Sequence, residues 1–169
     1  LTYEGYGVAG VAIFVEVATD NRNRTAGDIR SAFTKGNGQL GENGVVAWMF
    51  NRIGKISVKV EHYTHEDDLM ALVIDAGGED LNREDDMYYI TTAFEDLFQV
   101  KEALEKMSVH IEEAEITYVT KTATPVTIAE DAIKLFKLID RLEDCDDVMK
   151  VYTNMDISDE IMAEIEDKI

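Results

Sequence analysis

The chain has 169 residues, 46% of them apolar and 30% charged, with 35 Asp/Glu against 16 Lys/Arg for a formal net charge of −19. That composition suffices for a core in one large domain or two small ones. The single cysteine excludes an intrachain disulfide, and no apolar run approaches the roughly 18 residues of a membrane span. Without a signal-like leader, the expectation is a soluble protein of a reducing compartment, the cytoplasm by default.

Charge is unevenly spread: residues 1–60 carry seven Lys/Arg and five Asp/Glu, while residues 61–169 carry nine and thirty. Affinity for DNA or RNA rests largely on cations that replace counterions along the phosphates, so the long acidic part should be repelled by nucleic acid. A phosphate-facing surface is therefore expected in the first sixty residues, or on a segment outside this chain. The chain begins Leu1-Thr2-Tyr3, without an initiator methionine, which suggests an upstream segment.

In chain order, the Val-rich run Val8–Thr19 reads as a central strand. Thr25-x-x-Asp28 then predicts a capped helix with Ala26, Ile29 and Phe33 on one face and Gly36 as its stop. Val45–Phe50 and Lys55–Val60 read as strands, the second alternating Ile56, Val58 and Val60 with Lys55, Ser57 and Lys59 as a sheet with one wet face does. Thr64-x-x-Asp67 opens a helix with Leu69, Val73 and Ala76 inward, ended by Gly77-Gly78. Short strands follow at Glu79–Asn82 and Met87–Thr91. Thr92-x-x-Glu95 opens a third helix with Leu97, Val100, Leu104 and Met107 inward, and Ile111–Val119 is a strand. After a further strand near 120–126, Thr127-x-x-Glu130 opens a fourth helix carrying Ile128, Ala132, Leu135, Phe136, Ile139 and Leu142 inward. Val148–Thr153 closes the pattern, and residues 158–169 form a last amphipathic turn or two, or fray.

This order parses as two β-α-β-β-α-β units, one inserted into the other. The fold class is α+β, two ferredoxin-like domains, with residues 54–119 as the inserted domain and residues 1–53 plus 120–169 as the discontinuous outer one.

Two matches to G-x-G-x-x-G, at Gly5–Gly10 and Gly36–Gly41, stand before a strand and after a helix. A dinucleotide site needs the strand first and the helix second, so both read as turn chemistry. His62, His65 and His110 lack a believable third ligand and read as surface histidines. The run Asp140, Glu143, Asp144, Asp146, Asp147 lacks a calcium-loop pattern, and its carboxylates disfavour a thiolate at Cys145. No catalytic residue, metal ligand or cofactor is expected. The segment Asp20-Asn-Arg-Asn-Arg-Thr25 stands out: Arg22, Arg24 and Arg30, with Lys35 further along the helix, offer guanidinium forks near free amides, a seat for phosphate. Equally, these arginines serve to tie the loop to carboxylates such as Glu4 or Glu16. Tyr3, Tyr6 and Trp48 offer stacking faces in the same half, although for Trp48, inside the apolar run Val45–Phe50, a core position is the favoured expectation.

Tyr3-Glu-Gly-Tyr-Gly7, Gly10-Val-Ala12, Thr19-Asp-Asn-Arg-Asn-Arg-Thr25, Gly38-Gln-Leu-Gly41 and Val151-Tyr-Thr-Asn154 together resemble the YebC/PmpR family, whose mitochondrial relatives include the translational activator of cytochrome oxidase. The resemblance spans about residues 1–157. It implies a helical N-terminal domain followed by two α+β domains, the third inserted in the second, and no enzymatic activity. The family's lysine-rich first domain is missing here, so the chain looks like the last two domains alone. By position in the resembling loop, Arg22, Arg24 and Arg30 are candidate nucleic-acid contacts.

The resemblance implies a cytoplasmic DNA-binding transcriptional regulator, with nucleic acid met mainly through the basic N-terminal domain and protein partners met through the acidic surface. The alternative is a ribosome-associated translation factor that contacts ribosomal RNA and relieves stalling at proline-containing stretches. A ligand-sensing module is the third reading. No membrane partner is expected.

Overall fold

The computed structural model describes residues 1–169. The chain opens with β1 (Thr2–Tyr6), β2 (Ala12–Val17), α1 (Arg22–Lys35) and β3 (Gln39–Leu40). It continues through β4 (Phe50–Lys59), α2 (Glu66–Ala76), β5 (Asp80–Glu84), β6 (Met87–Ala93), α3 (Leu97–Lys106) and β7 (Glu113–Thr120). It ends with β8 (Thr124–Val126), α4 (Ala129–Glu143), β9 (Val148–Thr153), β10 (Met155–Ile157) and α5 (Asp159–Ile165). Two compact units result, residues 1–50 with 120–169 and residues 51–119. The architecture is α+β, with two ferredoxin-like sheets, one contained in the insertion.

In the inserted unit the strand order is β5-β6-β4-β7, the layout that β-α-β-β-α-β connectivity produces. Ile56 and Val58 of β4 point to one face, where Leu69 and Val73 of α2 and Val100 and Leu104 of α3 bury them. Each fully buried aliphatic side chain of this kind contributes roughly 1.5–3 kcal/mol. The other face is drier than the alternation predicts: Ser57 is buried, and Lys55 lies 4.4 Å above the Tyr89 ring. Gly77, at φ 95°, ends α2 in the left-handed conformation that a side chain disfavours.

The outer sheet has the order β3-β1-β2-β9. It reaches four strands under two helices by a different path, because β1 fills the place between β2 and β3. The predicted strand Val8–Thr19 is therefore a hairpin partner plus a turn: residues 8–10 form one 3-10 turn, with Ala9 at φ 60° and Gly10 at φ 74°. Alternate residues Ile13, Val15 and Val17 face α1 and α4, where Ile29, Phe33, Leu135, Leu138 and Leu142 close the core. Of the six glycines in the two G-x-G-x-x-G matches, only Gly10 has positive φ. Gly5 is required by space, since a Cβ there would stand 2.5 Å from the Gln39 carbonyl oxygen and 2.7 Å from the Phe33 ring.

Helices begin within a few residues of each predicted start, but none of the four threonines caps one. Asn21 caps α1, its side chain accepting the Arg24 N–H at 3.1 Å, and Thr25 lies inside the helix. Thr92 is buried in β6 and donates to the Ala93 carbonyl at 2.8 Å. His65 and Ile128 stand at the caps of α2 and α4 without a side-chain bond. There the acidic first turns, Glu66-Asp67-Asp68 and Glu130-Asp131, complement the helix dipole instead. The strand predicted at 45–50 is also absent, replaced by a 3-10 turn at Ala47–Met49 before β4.

Asn154, 2% exposed, holds the outer unit where the chain departs and returns. Its Oδ1 accepts the Ala12 N–H at 2.8 Å, and its Nδ2 donates to the Thr122 carbonyl at 3.0 Å and to Thr124 Oγ1 at 2.9 Å. Truncation strands the buried Ala12 amide, at about 1–3 kcal/mol for a buried group left unpaired, while the carbonyl of the exposed Thr122 can turn to water. Asn154→Ala is expected to lower stability by about 1–3 kcal/mol in urea unfolding, whereas a loss near zero would show that the amide is dispensable.

Candidate nucleic-acid interface

The first turn of α1 presents Arg22 and Arg24, and Asp147 decides what Arg24 does. The Asp147 carboxylate accepts the Thr25 hydroxyl at 2.6 Å and the Arg24 guanidinium at 3.0 Å. Thr19 Oγ1 lies 3.2 Å from the same oxygen and accepts the Asn21 N–H at 3.0 Å. Arg24 also reaches Asp20 at 3.4 Å. Arg24 is thus a tie across the loop, and its partners are Asp147 and Asp20. Glu4 and Glu16 are engaged elsewhere, Glu16 accepting the Tyr152 hydroxyl at 2.9 Å.

The remaining candidates separate. Arg22 opens α1 and Arg30 lies two turns further, about 12 Å along the axis; both are exposed and neither has an ion pair within 4 Å. Lys35, in the last turn, lines a shallow depression of about 360 Å³ with Asp28, Arg141, Asp144, Cys145 and Asp146. It stands among carboxylates rather than with Arg22. The amides that would seat a phosphate are partly taken, because Asn21 already accepts the Arg24 N–H through its side chain and the Thr25 N–H through its carbonyl. Burial first, then the carboxylates of Asp28, Asp144, Asp146 and Asp147, pushes the Cys145 thiol above its ordinary range.

Trp48 is 62% exposed, against the expectation of a core position. Its loop hangs on Glu4, a carboxylate only 3% exposed that accepts the N–H groups of Gly44 at 2.7 Å, Val46 at 3.0 Å and Ala47 at 2.7 Å. Three converging amides form an anion nest, which compensates the desolvation of a buried carboxylate. The Trp48 indole N–H turns back to the Val45 carbonyl at 3.1 Å, and the Tyr6 hydroxyl reaches that oxygen at 3.3 Å. The ring face is left open to solvent on a tied backbone. Sequence reasoning missed this because Val45-Val46-Ala47-Trp48-Met49-Phe50 looks apolar throughout; the signal lay in the buried partner, Glu4, forty residues away.

The fold is a nested pair of α+β units, and its outer unit exposes the guanidinium groups of Arg22 and Arg30 and the indole of Trp48. Residues 1–155 match the family model described as the TACO1/YebC second and third domain, and the chain belongs to the TACO1/YebC family. It is 49% identical over 164 residues to a "Probable transcriptional regulatory protein" of Syntrophomonas wolfei, covering 96% of this chain and 65% of that protein. A protein of the same description from Chlorobaculum parvum is 48% identical over 169 residues, covering 99% of this chain and 66% of the relative. A crystal structure of a conserved hypothetical protein from Aquifex aeolicus superposes with a TM-score of 0.83 at 41% identity, covering 96% of this chain and 66% of that one. The chain therefore spans about two thirds of the length of these relatives. No helix is long and apolar enough to cross a membrane.

The Thr25 hydroxyl first, and then Arg24, hold the Asp147 carboxyl below its ordinary value, against a smaller opposing effect of burial. A carboxyl lowered on folding adds stability above its unfolded pKa of about 3.9 and loses it as pH falls through the folded value. Asp147→Ala is expected to melt earlier than the parent at pH 7, with the gap closing as pH falls from about 4 through that lowered value. A gap independent of pH would assign the effect to packing alone.

Proposed function

We propose that this chain is the two-domain α+β part of a non-enzymatic, cytoplasmic regulator of gene expression that binds DNA as a transcriptional regulator. The observation that carries this reading is near 50% identity to proteins described as probable transcriptional regulators, over almost the whole chain. Arg22 and Arg30 are the phosphate contacts this chain contributes, while Arg24 acts as a structural tie. The acidic remainder is a surface for protein partners, and further phosphate contact comes from sequence outside this chain.

The test is crosslinking of the full-length protein in growing cells, followed by sequencing of the recovered nucleic acid; promoter enrichment is the expected result. In vitro, Arg22→Ala with Arg30→Ala should weaken DNA binding and reduce the dependence of log K on log salt by about two, one for each phosphate contact. An unchanged salt slope would remove these residues from the interface.

A second reading, a ribosome-associated translation factor, is favoured by two observations. Residues 61–169 carry thirty acidic against nine basic residues, a charge suited to basic ribosomal proteins rather than to a duplex. Trp48 supplies a held, exposed aromatic of the kind that anchors interfaces. Under this reading crosslinking enriches ribosomal RNA without promoter peaks. Trp48→Ala then lowers co-sedimentation with ribosomes several-fold while stability changes by less than about 0.5 kcal/mol, as for other surface substitutions. Unaltered co-sedimentation would exclude Trp48 as the anchor.

A further inference from the structure

The inserted unit brings two of the chain's three histidines to one surface point. The ring centroids of His62 and His110 are 5.1 Å apart, and Glu112 joins them with an oxygen 4.0 Å from His110 Nε2. One donor atom from each of the three residues lies within 4.8 Å of the others. We infer that His62, His110 and Glu112 form a binding site for a single divalent transition-metal ion of the Zn²⁺ type.

The backbone beneath these residues is fixed. His62 ends the 3-10 turn Val60–His62, which is closed by Tyr63 N–H to Val60 O at 2.9 Å and tied to the next hairpin by Val60 N–H to Asp86 O at 2.9 Å. His110 follows Val109, a core residue whose N–H bonds the Leu104 carbonyl at 3.0 Å. Glu112 is pinned to β4 through its N–H and the Ser57 carbonyl at 2.8 Å. Only side-chain rotation is needed to bring the donors around a common centre, and a backbone held in advance lowers the entropy cost of binding.

Two imidazoles and one carboxylate suit zinc, copper or nickel, whereas magnesium and calcium take oxygen ligands. Three protein donors leave a tetrahedral ion one open position for water. Glu61, with an oxygen 4.0 Å from His62 Nε2, stands close enough to fill it. Lys59 is the competitor, its ammonium 3.8 Å from Glu112 Oε1, and a bound cation displaces it. The inserted unit carries 17 Asp/Glu against 6 Lys/Arg over residues 51–119, so its field attracts cations to this surface.

His65 is exposed, lies outside the cluster and makes no capping bond, which makes it an internal control. The test is calorimetric titration of the 169-residue chain with zinc chloride, together with NMR of the histidine ring protons. Expected are one Zn²⁺ per chain, ring signals of His62 and His110 that shift while those of His65 do not, and no competition from Mg²⁺. His62→Ala and His110→Ala should each weaken binding by about tenfold or more, on the scale by which lost metal-site partners act, with His65→Ala unchanged. All three histidines are exposed, so these substitutions leave both cores intact. Wild-type affinity in the His62→Ala/His110→Ala double variant, equal weakening by His65→Ala, or His62 and His110 signals that ignore zinc would each overturn the assignment.

Discussion

The outer unit is a discontinuous domain, and the buried amide of Asn154 is the constraint that lets it close. Such a domain must bring back a chain that has left it for an insertion and returned seventy residues later. Asn154 meets that need with two kinds of group in one place. Its side chain accepts from β2 and donates to the returning segment at Thr122 and Thr124, while its backbone carbonyl accepts the Thr124 N–H at 2.8 Å. An apolar residue of the same size would fill the space but leave the Ala12 strand amide unpaired in the interior. The parallel pairing of β8 with β10 and the antiparallel pairing of β2 with β9 both run outward from this point.

The motifs that signal the family have the same character. Thr19, Asn21, Arg24 and Thr25 bond to one another and to Asp147; Glu4 holds the loop that ends at Trp48; Gly5 is small because β3 and Phe33 press against it. Each is a polar or small residue placed where chain segments distant in sequence meet. A motif recognised at the level of letters therefore marks joints of the fold. The groups left for a partner are those beside the joints: Arg22 beside Asn21, and Trp48 beyond the Glu4 nest.

Periodic features were legible in the sequence and joints were not. The stop of α2 at Gly77, the position of β9 and most of the inward faces of α3 and α4 follow from spacing, because burial in a helix or strand repeats at a fixed interval; Met107 and Ile128, at the helix ends, are exposed against expectation, and Leu138 is buried without having been expected there. The threonine caps failed because the helices start elsewhere: Thr25 lies inside α1, its hydroxyl donating to Asp147, Thr92 lies inside β6, and the caps of α2 and α4 fall one residue after Thr64 and Thr127. The β1–β2 hairpin was hidden because Gly7 to Gly10 sits inside an apolar run, where a turn made by Ala9 and Gly10 at positive φ carries no polar signal. His62, His110 and Glu112 are separated by about fifty residues and meet only because the backbone of Glu112 bonds to Ser57 of β4, a register that no local pattern encodes.

Charge is the one property that runs against the architecture. Repulsion among thirty carboxylates over residues 61–169 acts throughout the folded chain, against nine Lys/Arg in the same stretch, and ion pairs shorter than 4 Å include Asp147 with Arg24, Glu112 with Lys59, and Glu130 with Lys134. Exposed pairs of this kind contribute about 0–1 kcal/mol each and do not offset an excess of that size. The cores carry the stability, and the surface charge is free to serve association. An acidic surface suits a cationic partner, whether a metal ion at the histidine pair or a basic protein.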